Sequence, residues 1–204
     1  MAERVAEIYS LLIPLVDGRL IIPRSCVAEV IGFQAPAEMT GAPPWYIGTV
    51  PWNGRHVPLV SFEGACGQNI PPASGRTRVV VFHCLGARVE AGYFGVVSQG
   101  FPQLVRVSSD VVRPDNSRVF PERSPVICQV RMINETPLVP DLERLEDMIA
   151  DRRELYNDQI YRYNTRIGQL PGALIAPLFG WQPREFFTAD EADTVRPDAD
   201  LRTT

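Results

Sequence analysis

Gly48-Thr-Val-Pro-Trp-Asn-Gly-Arg-His-Val-Pro-Leu-Val-Ser-Phe-Glu63 carries an Asn-Gly pair between two runs of alternating, largely apolar character. Asn53-Gly54 suits a two-residue type I′ turn, whose central residues both need φ > 0, so the stretch predicts an antiparallel hairpin. With those two residues as the loop, Trp52 opposes Arg55, Pro51 opposes His56, Val50 opposes Val57 and Thr49 opposes Pro58. In that register both prolines fall where a missing N–H does not interrupt the ladder. Alternation then sets Val50, Trp52, Arg55, Val57 and Leu59 on one face, the aliphatics toward a core. Trp52 and Arg55 stand at the tip, within reach of a cation–π contact. Either a neighbouring loop covers Trp52 or a partner does, and Trp and Arg are residue types enriched at binding hot spots.

The same β character extends outward from this hairpin. Short apolar or alternating runs punctuated by Gly, Pro and Asn predict strands at Ile8–Val16, Arg19–Pro23, Trp45–Val50, His56–Phe62, Thr77–His83, Arg88–Ser98, Gln103–Val107, Val126–Ile133 and Pro137–Val139. No amphipathic stretch of helical length separates them, which opposes a parallel βαβ sheet. The polar, Pro-rich segment 68–75 marks an expected division into two β subdomains within residues 8–150. From Asp141 the period changes. Leu142, Leu145, Ile149, Tyr156, Ile160, Tyr163 and Ile167 recur at helical spacing, which predicts an amphipathic helix capped by Asp141 and ending near Gly168. Glu143, Glu146, Asp147, Asp151 and Glu154 read as its solvated, salt-bridged face. Residues 151–189 are read as a helical extension with an apolar docking segment around Trp181, and residues 190–204 as an acidic tail expected to be disordered.

Composition bounds the function. The chain has 204 residues, enough for a packed core, with 45% hydrophobic and 22% charged residues, the balance of a globular protein. A formal net charge of −4 opposes a broad nucleic-acid footprint, which draws on clustered Lys and Arg. The N-terminal segment is acidic where a signal peptide is basic, and the apolar run Leu11–Val16 is broken by Pro14, so neither export nor membrane insertion is expected and the location is read as cytoplasmic. Cys26, Cys66, Cys84 and Cys128 show no C-x-x-C spacing and are expected as reduced thiols. With His56 and His83 they form no metal-ligand pattern, and no nucleophile–base or phosphate-loop motif is present. No metal, no cofactor and no catalytic residue is expected.

At this point the sequence resembles a family. Leu20-Ile-Ile-Pro23, Val27-Ala-Glu-Val-Ile31, Ala42-Pro-Pro-Trp-Tyr-Ile-Gly48 and Asn53-Gly54 followed by Val57-Pro-Leu-Val60 are similar to the first half of the CheW-like domain of bacterial chemosensory adaptors. Thr77-Arg-Val-Val-Val-Phe-His83, Phe94-Gly-Val-Val-Ser98, Leu104-Val-Arg-Val107, Val126–Met132 and Pro137–Glu143 resemble its second half. Trp52 with Ser61-Phe-Glu63 resembles most the ChpC-like branch associated with type IV pilus chemosensory systems. The resemblance implies a mainly β fold of two small SH3-like five-stranded barrels and a non-enzymatic adaptor. Its partners would be a CheA-type histidine kinase and the cytoplasmic tip of a methyl-accepting chemoreceptor, in chemotaxis or twitching motility. The receptor-facing surface would comprise Val27, Glu29, Pro51, Trp52, Asn53, Gly54 and Arg55. Asn53 stands where the family keeps an arginine, which implies either that Arg55 substitutes for it from the adjacent strand position or that the usual receptor contact is altered. The alternative left by the β pattern is a ligand- or nucleic-acid-binding barrel of OB-like type.

Overall fold

The computed structural model describes residues 7–39, 41–86, 88–108, 110–151 and 182. In chain order the strands are β1 (Ile8–Pro14), β2 (Arg19–Pro23), β3 (Val27–Gly32), β4 (Tyr46–Trp52), β5 (Arg55–Val60), β6 (Arg78–His83), β7 (Tyr93–Ser98), β8 (Gln103–Val107), β9 (Arg113–Asp115), β10 (Val126–Arg131) and β11 (Leu138–Pro140). A one-turn helix α1 (Phe62–Ala65) follows β5, and residues 142–151 are helical, here α2. The strands form a six-stranded sheet ordered β8-β1-β2-β11-β10-β9 and a five-stranded sheet ordered β3-β6-β7-β5-β4. The protein is therefore mainly β with two β subdomains, as the sequence indicates, although the first sheet has six strands rather than five.

Sheet membership does not change at 68–75. That segment joins α1 to β6, and β5 and β6 belong to one sheet, so the five-stranded unit runs continuously from β3 to β7. The chain changes sheet between β2 and β3 and again between β7 and β8, which differs from the division expected at the Pro-rich segment. Proline and glycine there mark a connection, and a connection alone does not say which sheet the next strand joins.

Side-chain alternation builds three cores. In β1, Leu11 and Ile13 face a core shared between the sheets, while Leu12 faces the interior of the six-stranded sheet. In β2, Leu20 and Ile22 point into the shared core and Ile21 the other way. In β6, Val80 and Phe82 enter the shared core, and Val79 and Val81 fill the interior of the five-stranded sheet with Val50, Val57, Leu59 and Val97. These strands are covered on both faces, which is why they read as unbroken apolar runs rather than alternation.

Helix α2 seals the shared core with Leu142, Leu145 and Ile149. Its cap is the expected one: Asp141 Oδ1 accepts the Arg144 N–H at 2.9 Å. One acid on the expected solvated face turns inward instead. Glu146 is only 1% exposed, and its carboxylate accepts the backbone N–H groups of Leu85 and Gly86 in the turn after β6. Two charge-assisted bonds offset the cost of removing that carboxylate from water. Asp147, next along, pairs with Arg88 of the same turn. The expected continuation of the helix to Gly168, the extension 151–189 beyond its first residue, Glu154 and the tail 190–204 lie outside the described residues, apart from residue 182.

Candidate docking surface at the barrel end

The hairpin forms in the register read from the sequence: Trp52 opposite Arg55, Pro51 opposite His56, Val50 opposite Val57 and Thr49 opposite Pro58. Asn53 has φ 47° and Gly54 φ 76°, the left-handed conformation that a type I′ turn demands. Behind the tip the strand meets a second constraint. Beyond β3 the chain returns at Ala37 to pair with Thr49 of β4, with N···O distances of 2.8 and 3.0 Å in the two directions. β3 and β4 are the opposite edges of the five-stranded sheet, so this bridge closes it into a barrel. Gly48, at φ 142°, permits the approach: a Cβ there would lie 2.3 Å from the Ala37 carbonyl oxygen.

Trp52 closes the same seam with its side chain. Its indole Nε1 donates to Glu29 Oε2 at 2.7 Å, joining the tip of β4 to β3. Its ring meets Tyr93 of β7 edge-on, centroids 4.8 Å apart. The Arg55 guanidinium lies 5.5 Å from the same Tyr93 centroid and donates to the Ala91 carbonyl at 3.0 Å. The expected cation–π partner, Trp52, is thus replaced by Tyr93, which both side chains approach. His83, opposite Tyr93 on β6, meets that ring at a tilt of 48°, centroids 5.3 Å apart. Tyr93 and Ala91 carry no signal in the sequence, and His83 stands out there only among the metal-ligand candidates. Placing the start of β7 at Arg88 hid the pairing, because a turn through Gly92 separates Arg88 from the strand.

Of the residues expected to face a partner, Glu29, Pro51, Asn53 and Gly54 are exposed, and Trp52 and Arg55 are half-buried. Val27 is different. It is 2% exposed and packs in the shared core opposite Phe82, so it supports this end of the barrel from beneath and offers no surface. Its place in β3 explains this: alternation turns its side chain inward where Glu29, beyond a register shift, turns out.

Two of the thiols are held in the protonated form. Burial pushes Cys84 up to about 12, with Glu146 adding to the shift, and pushes Cys66 up to about 11, with Glu63 adding. All four cysteines are free and half-buried. Among the described residues no group of three or more His, Cys, Asp or Glu side chains is placed to hold a metal ion, and no helix is long and apolar enough to cross a membrane.

Comparison with known proteins bears on the same segment of chain. Among solved structures, the scaffolding protein TtCheW from Thermoanaerobacter tengcongensis superposes with a TM-score of 0.59 at 13% identity, covering 69% of this chain and 92% of that one. At such identity the likeness establishes the fold. No curated protein matches the sequence. A LemA family model matches residues 133–200, most of which lie outside the described residues. The model of the CheW-like domain matches residues 10–147, well over half of the 204 residues and all eleven strands but the first two positions of β1; the chain belongs to the CheW-like domain family.

Proposed function

We propose that this protein is a non-catalytic adaptor that holds a CheA-type histidine kinase and the cytoplasmic tip of a chemoreceptor in one complex, working in the cytoplasm. The observation that carries the reading is the barrel end. Pro51, Asn53, Gly54 and Glu29 present an exposed surface on a turn that two hydrogen-bonded seams hold rigid, Ala37 with Thr49 and Trp52 with Glu29. A pre-ordered tip loses little conformational entropy on docking, so modest contacts suffice for binding. Membership of the CheW-like family supports the adaptor class. The Trp52 and Ser61-Phe-Glu63 resemblance supports a ChpC-like place in a type IV pilus pathway. Arg55, drawn toward Tyr93 and Ala91, supplies a cation beside Asn53, where the family's arginine is missing.

Pull-down with a cognate kinase and receptor cytoplasmic domain tests this. The full chain captures both, and Pro51→Asp, on an exposed position, weakens receptor capture by about tenfold while sparing the kinase. Recovery of neither partner by the unaltered chain would remove the adaptor reading.

A further inference from the structure

We infer that residues 174–187 of this chain dock on its own body, on the apolar face that Tyr9 and Leu104 leave open beside the shared core, and that the acids following them meet Arg76 and Arg78. The inference stands apart from the adaptor reading, since it concerns only which part of the chain covers which. Pairing sets Leu11 of β1 opposite Ile22 of β2 on one side and opposite Leu104 of β8 on the other, so the three side chains share one face of the six-stranded sheet. Leu11 and Ile22 are buried in the shared core, whereas Leu104 is more than half exposed. Tyr9, diagonal to Leu104 on the same face, is also more than half exposed, and so is Phe101 just before β8. The apolar face of the sheet therefore runs on past the part that the shared core covers. Apolar surface continuous with a core and left open is the mark of an interaction site rather than of scattered exposure.

The chain outside the described residues supplies a matching occupant. Leu174-Ile-Ala-Pro-Leu-Phe-Gly-Trp181 sets five large apolar side chains in eight positions, and Phe186 and Phe187 follow. Pro177 lacks the N–H that a ladder needs, so this stretch suits packing on a face rather than pairing along the edge of β8. The charges agree with that placement. The Arg78 guanidinium lies 4.9 Å from the Phe101 centroid and donates to the carbonyls of Gly75 and Thr77, and Arg76, two positions before, is exposed. Among the described residues neither forms an ion pair, whereas Arg106, on the open face, is already matched by Glu7. Asp190, Glu191 and Asp193 come soon after the apolar stretch, so one segment carries both apolar cover and counter-charge. The 22 residues between Asp151 and Leu174 span about 33 Å even when helical, about twice the radius of gyration expected of a body this size. A tethered segment meets its own surface at an effective concentration of about millimolar, which favours it over a second copy or a free partner of like chemistry.

Photocrosslinking in the full chain tests the inference. A benzophenone amino acid placed at Leu104, an exposed position, links on irradiation to residues 174–187 of the same molecule, as read by mass spectrometry of the digested chain. Mixing isotope-labelled and unlabelled protein distinguishes a link within one molecule from a link between two. The same probe at Ile127, exposed on β10, captures that segment about tenfold less, because a tethered segment seated on one surface is withdrawn from the others. Leu178→Asp together with Trp181→Asp lowers capture at position 104 by about tenfold with the circular dichroism of the body unchanged. Asp190→Asn, Glu191→Gln and Asp193→Asn together lower it by about threefold at low salt and leave it unaltered at high salt. No link, a link to a second copy or only to residues 7–151, equal capture from Ile127, or capture that survives the paired aspartates would each overturn the docking, and indifference to the three amides would overturn the contact with Arg76 and Arg78.

Discussion

Trp52 and Glu29, 2.7 Å apart from indole nitrogen to carboxylate oxygen, tie together the two edge strands of the five-stranded barrel. The residue that makes the tip conspicuous in the sequence is therefore also part of its support. Trp52→Phe keeps a ring against Tyr93 and loses the hydrogen bond, and is expected to cost about 1 kcal/mol by urea unfolding. Trp52→Ala loses both and is expected to cost about 2–3 kcal/mol. Equal losses for the two would show that the bond to Glu29 contributes nothing.

Gly48 is the backbone counterpart of that tie. An alanine there meets the Ala37 carbonyl oxygen at 2.3 Å and must also hold φ 142°. Gly48→Ala is expected to destabilise by about 2–4 kcal/mol, because the bridge between Ala37 and Thr49 has to open. Gly54→Ala, with open space around its Cβ position, strains only the turn and is expected to cost about 1 kcal/mol. Thermal melts of the two variants give the comparison, and a smaller shift for Gly48→Ala would contradict the closed barrel.

Glu146 anchors α2 to the turn at Leu85 and Gly86. Glu146→Gln leaves one of those N–H groups facing an amide NH2 and is expected to cost about 1–3 kcal/mol. Asp147→Asn, on the exposed pair with Arg88, is expected to cost under about 1 kcal/mol. Chemical denaturation distinguishes them, and similar small effects would mean that the helix is held by Leu142, Leu145 and Ile149 alone.

Alkali should loosen the shared core. Burial raises Cys84 to about 12 from an ordinary 9.0 and Tyr46 to about 12 from 10.0. A group whose pKa is higher folded than unfolded contributes stability in full below its unfolded value and loses it as pH climbs through the folded one. Stability is therefore expected to hold to about pH 9 and to fall from there toward pH 12. Cys84→Ala should flatten that decline, as read from urea midpoints across the range; an unchanged slope would show that the thiol plays no part.

The sequence carried the local geometry well and the neighbour relations poorly. The register from Thr49 to Pro58 follows from one Asn-Gly pair, because a two-residue turn leaves the strands no other alignment. β1, β2 and β6 read in the sequence as short apolar or alternating runs, and that both faces of each are covered comes from the packing alone. Periodicity does not report which strand lies alongside another. The parallel pairings of β5 with β7 and of β2 with β11 join residues far apart in the chain, and no turn chemistry announces them. β9, reading Arg-Pro-Asp, has no strand character of its own and is paired only because β10 passes beside it. At the barrel end the sequence indicated Trp52 and Arg55 but not Tyr93, since the convergence exists only once β7 is flanked by β5 and β6. Glu146 was misplaced for a related reason: helical spacing puts it among other acids, and only the turn at Leu85 shows that its neighbours are amides.

The nesting of one sheet inside the other has a consequence for how the chain is made. β3 to β7 are contiguous, whereas the six-stranded sheet needs β1 and β2 from the start of the described chain and β8 to β11 from beyond residue 102. On a ribosome the inner barrel can close while the β1–β2 hairpin is still waiting for the other four strands of its sheet. During that interval Leu11, Leu12, Ile13, Leu20, Ile21 and Ile22 have no final cover, and this early hairpin, rather than the docking tip, is where a nascent chain is most exposed to aggregation.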